Sequence, residues 1–212
     1  MATGQIRNPM FARAYERCAK VADARGASEH RDELLAGLAG RVVEVGAGTG
    51  SNFAHYPDAV TDILAVEPEP YLRSVAERAA ATTGGRVRVV DGVADALPAG
   101  DGEFDAAVAS LVLCSVPDQP LALRELHRVL RPGAELRFYE HVRAGGAGLA
   151  TLQRTLDVVW PLFTGGCHTS RDTAAAIERA GFTVDRIRRF SFRPCLLAGP
   201  VSPHVIGAAR RA

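Results

Sequence analysis

The chain is 212 residues long with 47% apolar and 23% charged positions, enough for one substantial core and too few for two independent domains. Its 25 basic residues, of which Lys20 is the only lysine, oppose 24 acidic ones for a net charge of +1. That balance lacks the footprint of a nucleic-acid binder, so no nucleic-acid partner is expected. The longest apolar runs reach about 9 to 12 residues, short of the roughly 18 needed to cross a bilayer, and no charged patch with an apolar leader follows Met1. A cytoplasmic protein without stable membrane insertion is expected. Cys18, Cys114, Cys167 and Cys195 lie far apart with no CxxC pair, which offers neither zinc-ligand spacing nor a redox dithiol, so reduced thiols and no metal are expected.

Residues 1–40 read as helical, with Phe11, Tyr15 and Cys18 on one stripe and Leu34, Leu35 and Leu38 after them. They are expected to cover one edge of the domain that spans 41–212. Arg41–Val45 is a β-branched run that ends in GAGTG, the pattern of strand, glycine turn and helix start. DILAVEP gives a second strand that closes on Glu67 and Pro68, followed by a helix over Tyr71–Ala81. Three more strands are expected over Arg86–Val90, Phe104–Leu113 and Glu135–Val142. Between the last two, Leu121, Leu126, Val129 and Leu130 form a helical stripe that stops at Pro132-Gly133. A further helix is expected in SRDTAAAIERAGF, with Ser170 as its cap, and closing strands at Phe182–Phe190 and HVIGAARR. Strands separated by helices imply a mostly parallel sheet covered on both faces.

Three glycines at alternate positions, Gly46, Gly48 and Gly50, let the main chain pass close to a ligand and present free amides at a helix start. The dinucleotide fingerprint GxGxxG needs glycine or alanine at position 51, where this chain has Ser51. Glu44, two residues before the first glycine, repels a pyrophosphate but can hold an ammonium group or the loop itself. Glu67 at the end of the second strand suits a ribose diol, which indicates a nucleoside without choosing one. Together with GxGxG, Glu44 favours a nucleoside with an amino-acid tail, and S-adenosylmethionine fits.

EVGAGTG, the acidic end of AVEPEP, DGVADALPAGDGEFDAAVAS and LRELHRVLRPGAELRFYEH resemble, in order, the motifs of class I S-adenosylmethionine-dependent methyltransferases. LVLCSVPD, Glu140–Val142, GGCHTSRDT and the terminal PHVIG are similar to the methyltransferase-like group that includes alkyl-thiol S-methyltransferases. The resemblance implies a Rossmann-like, seven-stranded, mostly parallel α/β sheet with helices on both faces and an N-terminal helical cover. It also implies S-adenosylmethionine as cofactor and a small-molecule acceptor, a thiol being the family-based expectation. Many family members carry an acid where this chain has Val93. Asp95 is the nearest carboxylate, and backbone contacts from Gly92, Val93 and Ala94 are the expected adenine site.

The expected donor contacts are Glu44, Gly46, Ala47, Gly48, Gly50, Asn52, Glu67, Pro68, Gly92, Val93, Ala94, Ser110 and Leu111, around a crevice beyond the carboxyl ends of the strands. His141, at the exit of the fifth strand, is the leading candidate for base or acceptor-orienting group, the alternative being a structural hydrogen bond. His168, with Arg171 behind it, follows a Gly-Gly loop that can fold over an acceptor or simply cap a helix. Tyr15 and His30 face the same crevice if the helical cover acts as a lid, the alternative for each being surface or core packing. Cys114 reads as a small buried residue rather than a nucleophile. Trp160, Phe163 and Phe192 line an acceptor pocket or fill the core. Other readings remain: O- or N-methylation of a small metabolite or lipid head group, a nicotinamide-dependent oxidoreductase, or non-catalytic donor binding. The oligomeric state is left open.

Overall fold

The computed structural model of the chain describes residues 8–195 and 198–212. Seven strands, Gly40–Val45 (β1), Val60–Val66 (β2), Val87–Val90 (β3), Phe104–Ser110 (β4), Leu130–His141 (β5), Phe182–Ser191 (β6) and Pro203–Arg211 (β7), form one sheet in the order β3-β2-β1-β4-β5-β7-β6. The first five run parallel, and β7 lies antiparallel to both β5 and β6. Side chains alternate between two buried faces, as period-2 geometry requires. Val43, Val45, Ala107, Leu136 and Phe138 belong to one core cluster, while Val42, Ile63, Val108, Tyr139 and Ile206 belong to the other.

Among the described residues the α-helices are Pro9–Ala22 (α1), Ser28–Leu35 (α2), Pro70–Ala80 (α3), Gln119–Val129 (α4), Ala147–Leu156 (α5), Trp160–Phe163 (α6) and Thr173–Arg179 (α7). Leu123 and Leu126 of α4 and Ile177 of α7 join the first cluster; Leu34 and Leu35 of α2 and Ala76 of α3 join the second. Helices therefore cover both faces, as the alternating pattern predicts. The starts of α3 and α4 are local chemistry. Glu69 and Asp118 accept from the amides of Leu72 and Leu121, and Pro70 and Pro120 sit in the first turn, where no amide is wanted.

Several boundaries differ from the sequence reading. Helix α4 ends at Val129, because Arg131 precedes Pro132 and is biased to extended backbone, so the chain joins β5 at Leu130. Strand β4 ends at Ser110, since Leu111 takes φ 58° and turns the chain away from the ladder. Asp172 rather than Ser170 caps α7, and Ser170 instead bonds the Asp157 carboxylate. The N-terminal cover does not sit on an edge. Leu34, Leu35 and Leu38 pack on one face of the sheet, and Arg137 of β5 donates to the carbonyls of Leu34 and Ala36 at 3.1 and 3.0 Å. On α1 the buried positions are Ala12 and Ala19, while Cys18 is exposed. Phe163, at 78% exposure, fills no core.

Candidate functional site

The carboxyl ends of the parallel strands β1, β2, β4 and β5 lie along one edge of the sheet, where the loops that follow them meet. Gly46, Gly48 and Gly50 all have positive φ, at 63°, 57° and 76°. This is the left-handed backbone that glycine adopts without steric cost. At Gly48 an added Cβ would come within 3.2 Å of the Tyr15 ring, so α1 lies against the bare main chain of the loop. At Gly46 the added atom would strike the Val112 side chain, and at Gly50 it would meet the Phe53 ring at 2.6 Å. The loop is packed from both sides, with Ala47 tied to the Val66 carbonyl at 3.1 Å.

Two buried carboxylates fix this loop. Glu67 Oε2 accepts from the Gly48 amide at 2.8 Å and Oε1 from the Glu69 amide at 2.9 Å. Burial raises its pKa, and the two backbone donors pull the other way. Glu44, 2% exposed, accepts from Asn52 Nδ2 at 2.8 Å and from the Tyr56 hydroxyl at 2.7 Å. Burial pushes its pKa up to about 7 against those hydrogen bonds. Arg31 Nη1 donates to Asn52 Oδ1 at 2.8 Å, and Arg31 Nε reaches Asp23 at 3.1 Å. Both ends of the Asn52 amide are thus spent on protein partners. Glu44 thus braces the loop through Asn52 and Tyr56.

A third buried carboxylate organises the opposite wall. Glu140, fully buried at the end of β5, accepts from the amides of Val112, Leu113 and Cys114 at 3.0, 2.9 and 3.1 Å. Leu111 donates its amide to the Tyr139 carbonyl at 2.7 Å. The Ser110 hydroxyl, buried at the end of β4, has no partner, an orphaned polar atom of the kind that a ligand satisfies. Gly92 has no room for a side chain, since a Cβ would meet Val66 at 2.9 Å. Val93 and Ala94 follow in a tight turn closed by a bridge between Val93 and Ala96. Pro68 is half-buried and its carbonyl accepts from Arg73 at 3.1 Å.

The structure sorts the candidate acceptor residues. Tyr15 faces the crevice: burial pushes its pKa up to about 12, with Arg31, Glu67 and Cys114 all within electrostatic reach, so its hydroxyl keeps its proton near neutrality. His141 Nδ1 lies 3.6 Å from Cys114 Sγ and 3.5 Å from Cys167 Sγ. His168 instead turns toward Asp157, 3.9 Å away, while its amide donates to the Cys114 carbonyl at 2.8 Å. Arg171 donates to the Leu113 carbonyl at 2.6 Å. His30 lies apart in an aromatic cluster with Tyr139, Phe190 and Phe192. Phe192 is half-buried, and the Trp160 indole nitrogen is buried without a partner. Sequence reasoning missed the meeting of Cys114, His141 and Cys167 and the bracket that Glu140 forms. The first had no short-range signal, and only the strand-end position of Glu140 hinted at the second.

A family model described as a methyltransferase domain matches residues 43–138. Human (Homo sapiens) thiol S-methyltransferase TMT1A is 34% identical over 190 residues, covering 82% of this chain and 73% of that protein. The Mus musculus thiol S-methyltransferase TMT1B is 36% identical over 182 residues with the same coverage of both. Among solved structures, a SAM-dependent methyltransferase from Thermotoga maritima matches with a TM-score of 0.70 at 24% identity, over 96% of this chain and 97% of that one. Geranyl diphosphate methyltransferase in complex with SAM matches with a TM-score of 0.68 at 16% identity, over 88% and 85%. These two share the fold, and the closer sequence relatives carry the family. The chain is thus an enzyme that uses S-adenosylmethionine to methylate a small molecule, and it belongs to the class I methyltransferases, in the group that holds the thiol S-methyltransferases.

Proposed function

We propose that the acceptor is a small-molecule thiol. The observation that carries this reading is where the carboxylates of the crevice spend their oxygens. Glu44 binds Asn52 and Tyr56, Glu67 binds two backbone amides and Glu140 binds three. In this reading each is committed to bracing a loop or holding the donor, and none serves as a general base for an alcohol. What faces the acceptor side is an imidazole, His141, beside sulfur, with the Arg171 guanidinium nearby. A thiol, with an ordinary pKa of about 8.5, needs only that much help to ionise, and a nearby cation favours the thiolate. The names of the relatives at 34% and 36% identity point the same way.

The residues present suit the donor. The glycine loop offers bare main chain where a Cβ would strike Tyr15, and the Ser110 hydroxyl lacks a partner. In this reading Gly46, Ala47, Gly48 and Gly50 hold the amino-acid half. Glu67, beside Pro68, grips the ribose with its remaining lone pairs. Gly92, Val93 and Ala94 flank the adenine, and Ser110 and Leu111 close the floor, while Glu44 and Asn52 hold the loop from behind. When bound, the donor supplies a methyl group already activated on a sulfonium. The protein has to align, exclude water and manage one proton. His141 lies on the acceptor side where that proton is lost, Tyr15 closes the crevice from α1, and His168 with Arg171 borders the acceptor entrance. No helix among the described residues is long and apolar enough to cross a membrane. A cytoplasmic setting belongs to the same proposal, supported by four free thiols that a reducing compartment preserves.

Methyl transfer to matched alkyl thiol, phenol and primary amine acceptors tests the proposal. Turnover confined to the thiol supports it. Preference for the phenol or amine, or tight donor binding without turnover on any of the three, overturns it.

A further inference from the structure

Three side chains separated by 26 and 27 residues in sequence meet beyond the ends of β4 and β5. Cys114 Sγ lies 3.7 Å from Cys167 Sγ, and His141 Nδ1 lies 3.6 and 3.5 Å from the two sulfurs. Zinc–sulfur bonds of about 2.3 Å and zinc–nitrogen bonds of about 2.0–2.1 Å, set at the tetrahedral angle, space sulfur from sulfur by about 3.8 Å and sulfur from nitrogen by about 3.6 Å. The observed triangle agrees, edge for edge, with one face of that tetrahedron.

The triangle is also held in place. The Cys114 amide donates to Glu140 at 3.1 Å. The Cys114 carbonyl accepts from the His168 amide at 2.8 Å, which ties the loop carrying Cys167 to the exit of β4. Gly166, with φ 87°, lies where a Cβ would come within 2.6 Å of the Ser115 carbonyl, so the two loops meet backbone to backbone. Both cysteines are buried and His141 is the partly exposed member. Arg171, which donates to the Leu113 carbonyl next to Cys114, borders the sulfurs with positive charge. Beside the cluster, a pocket of about 440 Å³ is lined by Arg171, Phe190 and His204 among others, and the His204 ring stands 4.6 Å from that of His141.

We propose that Cys114, His141 and Cys167 form a zinc site with an open fourth position that takes the acceptor sulfur. The site itself stands on the geometry; the role of its fourth position rests on the thiol reading above. Two thiolates and a neutral imidazole balance the charge of Zn2+, and the two protein thiols release their protons when the ion binds. An acceptor R–SH then binds as R–S⁻, its proton passes to solvent, and Arg171 faces the added negative charge. Once methylated, the sulfur is a neutral thioether and a weak ligand, so the product leaves.

Full-length protein produced with zinc in the medium and purified without chelator tests the site. Elemental analysis is expected to find about one zinc per chain. Cys114→Ala and Cys167→Ala lose it, while Cys18→Ala, at an exposed thiol on α1, keeps it. S-adenosylhomocysteine binding by each variant reports that it folds. Cobalt substituted into the wild type gives thiolate-to-cobalt charge-transfer absorption, which weakens in either cluster variant and shifts when an alkyl thiol is added. Wild-type protein that takes up neither ion after reduction, or zinc retained in both cluster variants, overturns the site. A cobalt spectrum indifferent to thiols, or undiminished thiol turnover by metal-free enzyme, overturns the role of the fourth position. A zinc-loaded enzyme that binds donor and methylates no thiol fails the functional reading instead.

Discussion

Glu67 Oε2 accepts the Gly48 amide at 2.8 Å across the ends of β1 and β2, so the residue expected to grip the sugar also sets the height of the loop beneath the donor. Glu67→Ala removes both tasks. A hydrogen bond to a charged group contributes about 1.5–3 kcal/mol, so donor affinity should fall roughly 10- to 100-fold. Titration calorimetry with S-adenosylhomocysteine measures it, and unchanged affinity would place the donor elsewhere.

Gly48→Val places a β-branched residue at φ 57°, where an L side chain costs about 1–2 kcal/mol, and drives its Cβ to 3.2 Å from Tyr15. Donor binding should be lost while the circular dichroism spectrum and a cooperative melt are kept. Retained binding would show that the loop is not the donor cradle.

The buried Glu44 carboxyl has its pKa raised from 4.5 to about 7, first by burial. The folded protein therefore holds a proton that the unfolded chain has already released between about pH 4.5 and 7. Stability falls as pH rises through that window, by up to about 3 kcal/mol from this group. Urea denaturation of Glu44→Gln should lack this slope, with the variant gaining on wild type toward pH 7. Parallel pH profiles would show that Glu44 is ionised throughout.

His141→Ala should lower kcat by about tenfold or more while donor affinity stays within about twofold, because His141 lies on the acceptor side of the crevice. An equal loss of donor affinity would make its role structural.

The parallel half of the sheet was legible because each strand and its turn are local. Arg41–Val45 ends at three glycines, and the next strand ends at Glu67 whatever the rest of the chain does. Those features located the glycine loop after β1 and the carboxylate at the end of β2. What stayed hidden depends on distant partners. Nothing near Cys114 in sequence announces Cys167, 53 positions away, and no spacing shows that Glu140 collects three amides of another loop. Leu111 at φ 58° broke the strand reading of β4 through that same loop. Asn52 read as a ligand contact from its place after the glycines, and its bonds to Glu44 and Arg31 at both ends of the amide were not legible. Leucine spacing showed that α2 buries a stripe, but not that the stripe meets a face of the sheet rather than its edge.

A crystal structure with S-adenosylhomocysteine bound is the most direct measurement. The account predicts ribose hydroxyls on the Glu67 carboxylate, the amino-acid tail along Gly46–Gly50 and the donor sulfur turned toward Cys114, His141 and Cys167. A nucleoside seated elsewhere, or a sulfur facing away from that cluster, would contradict it.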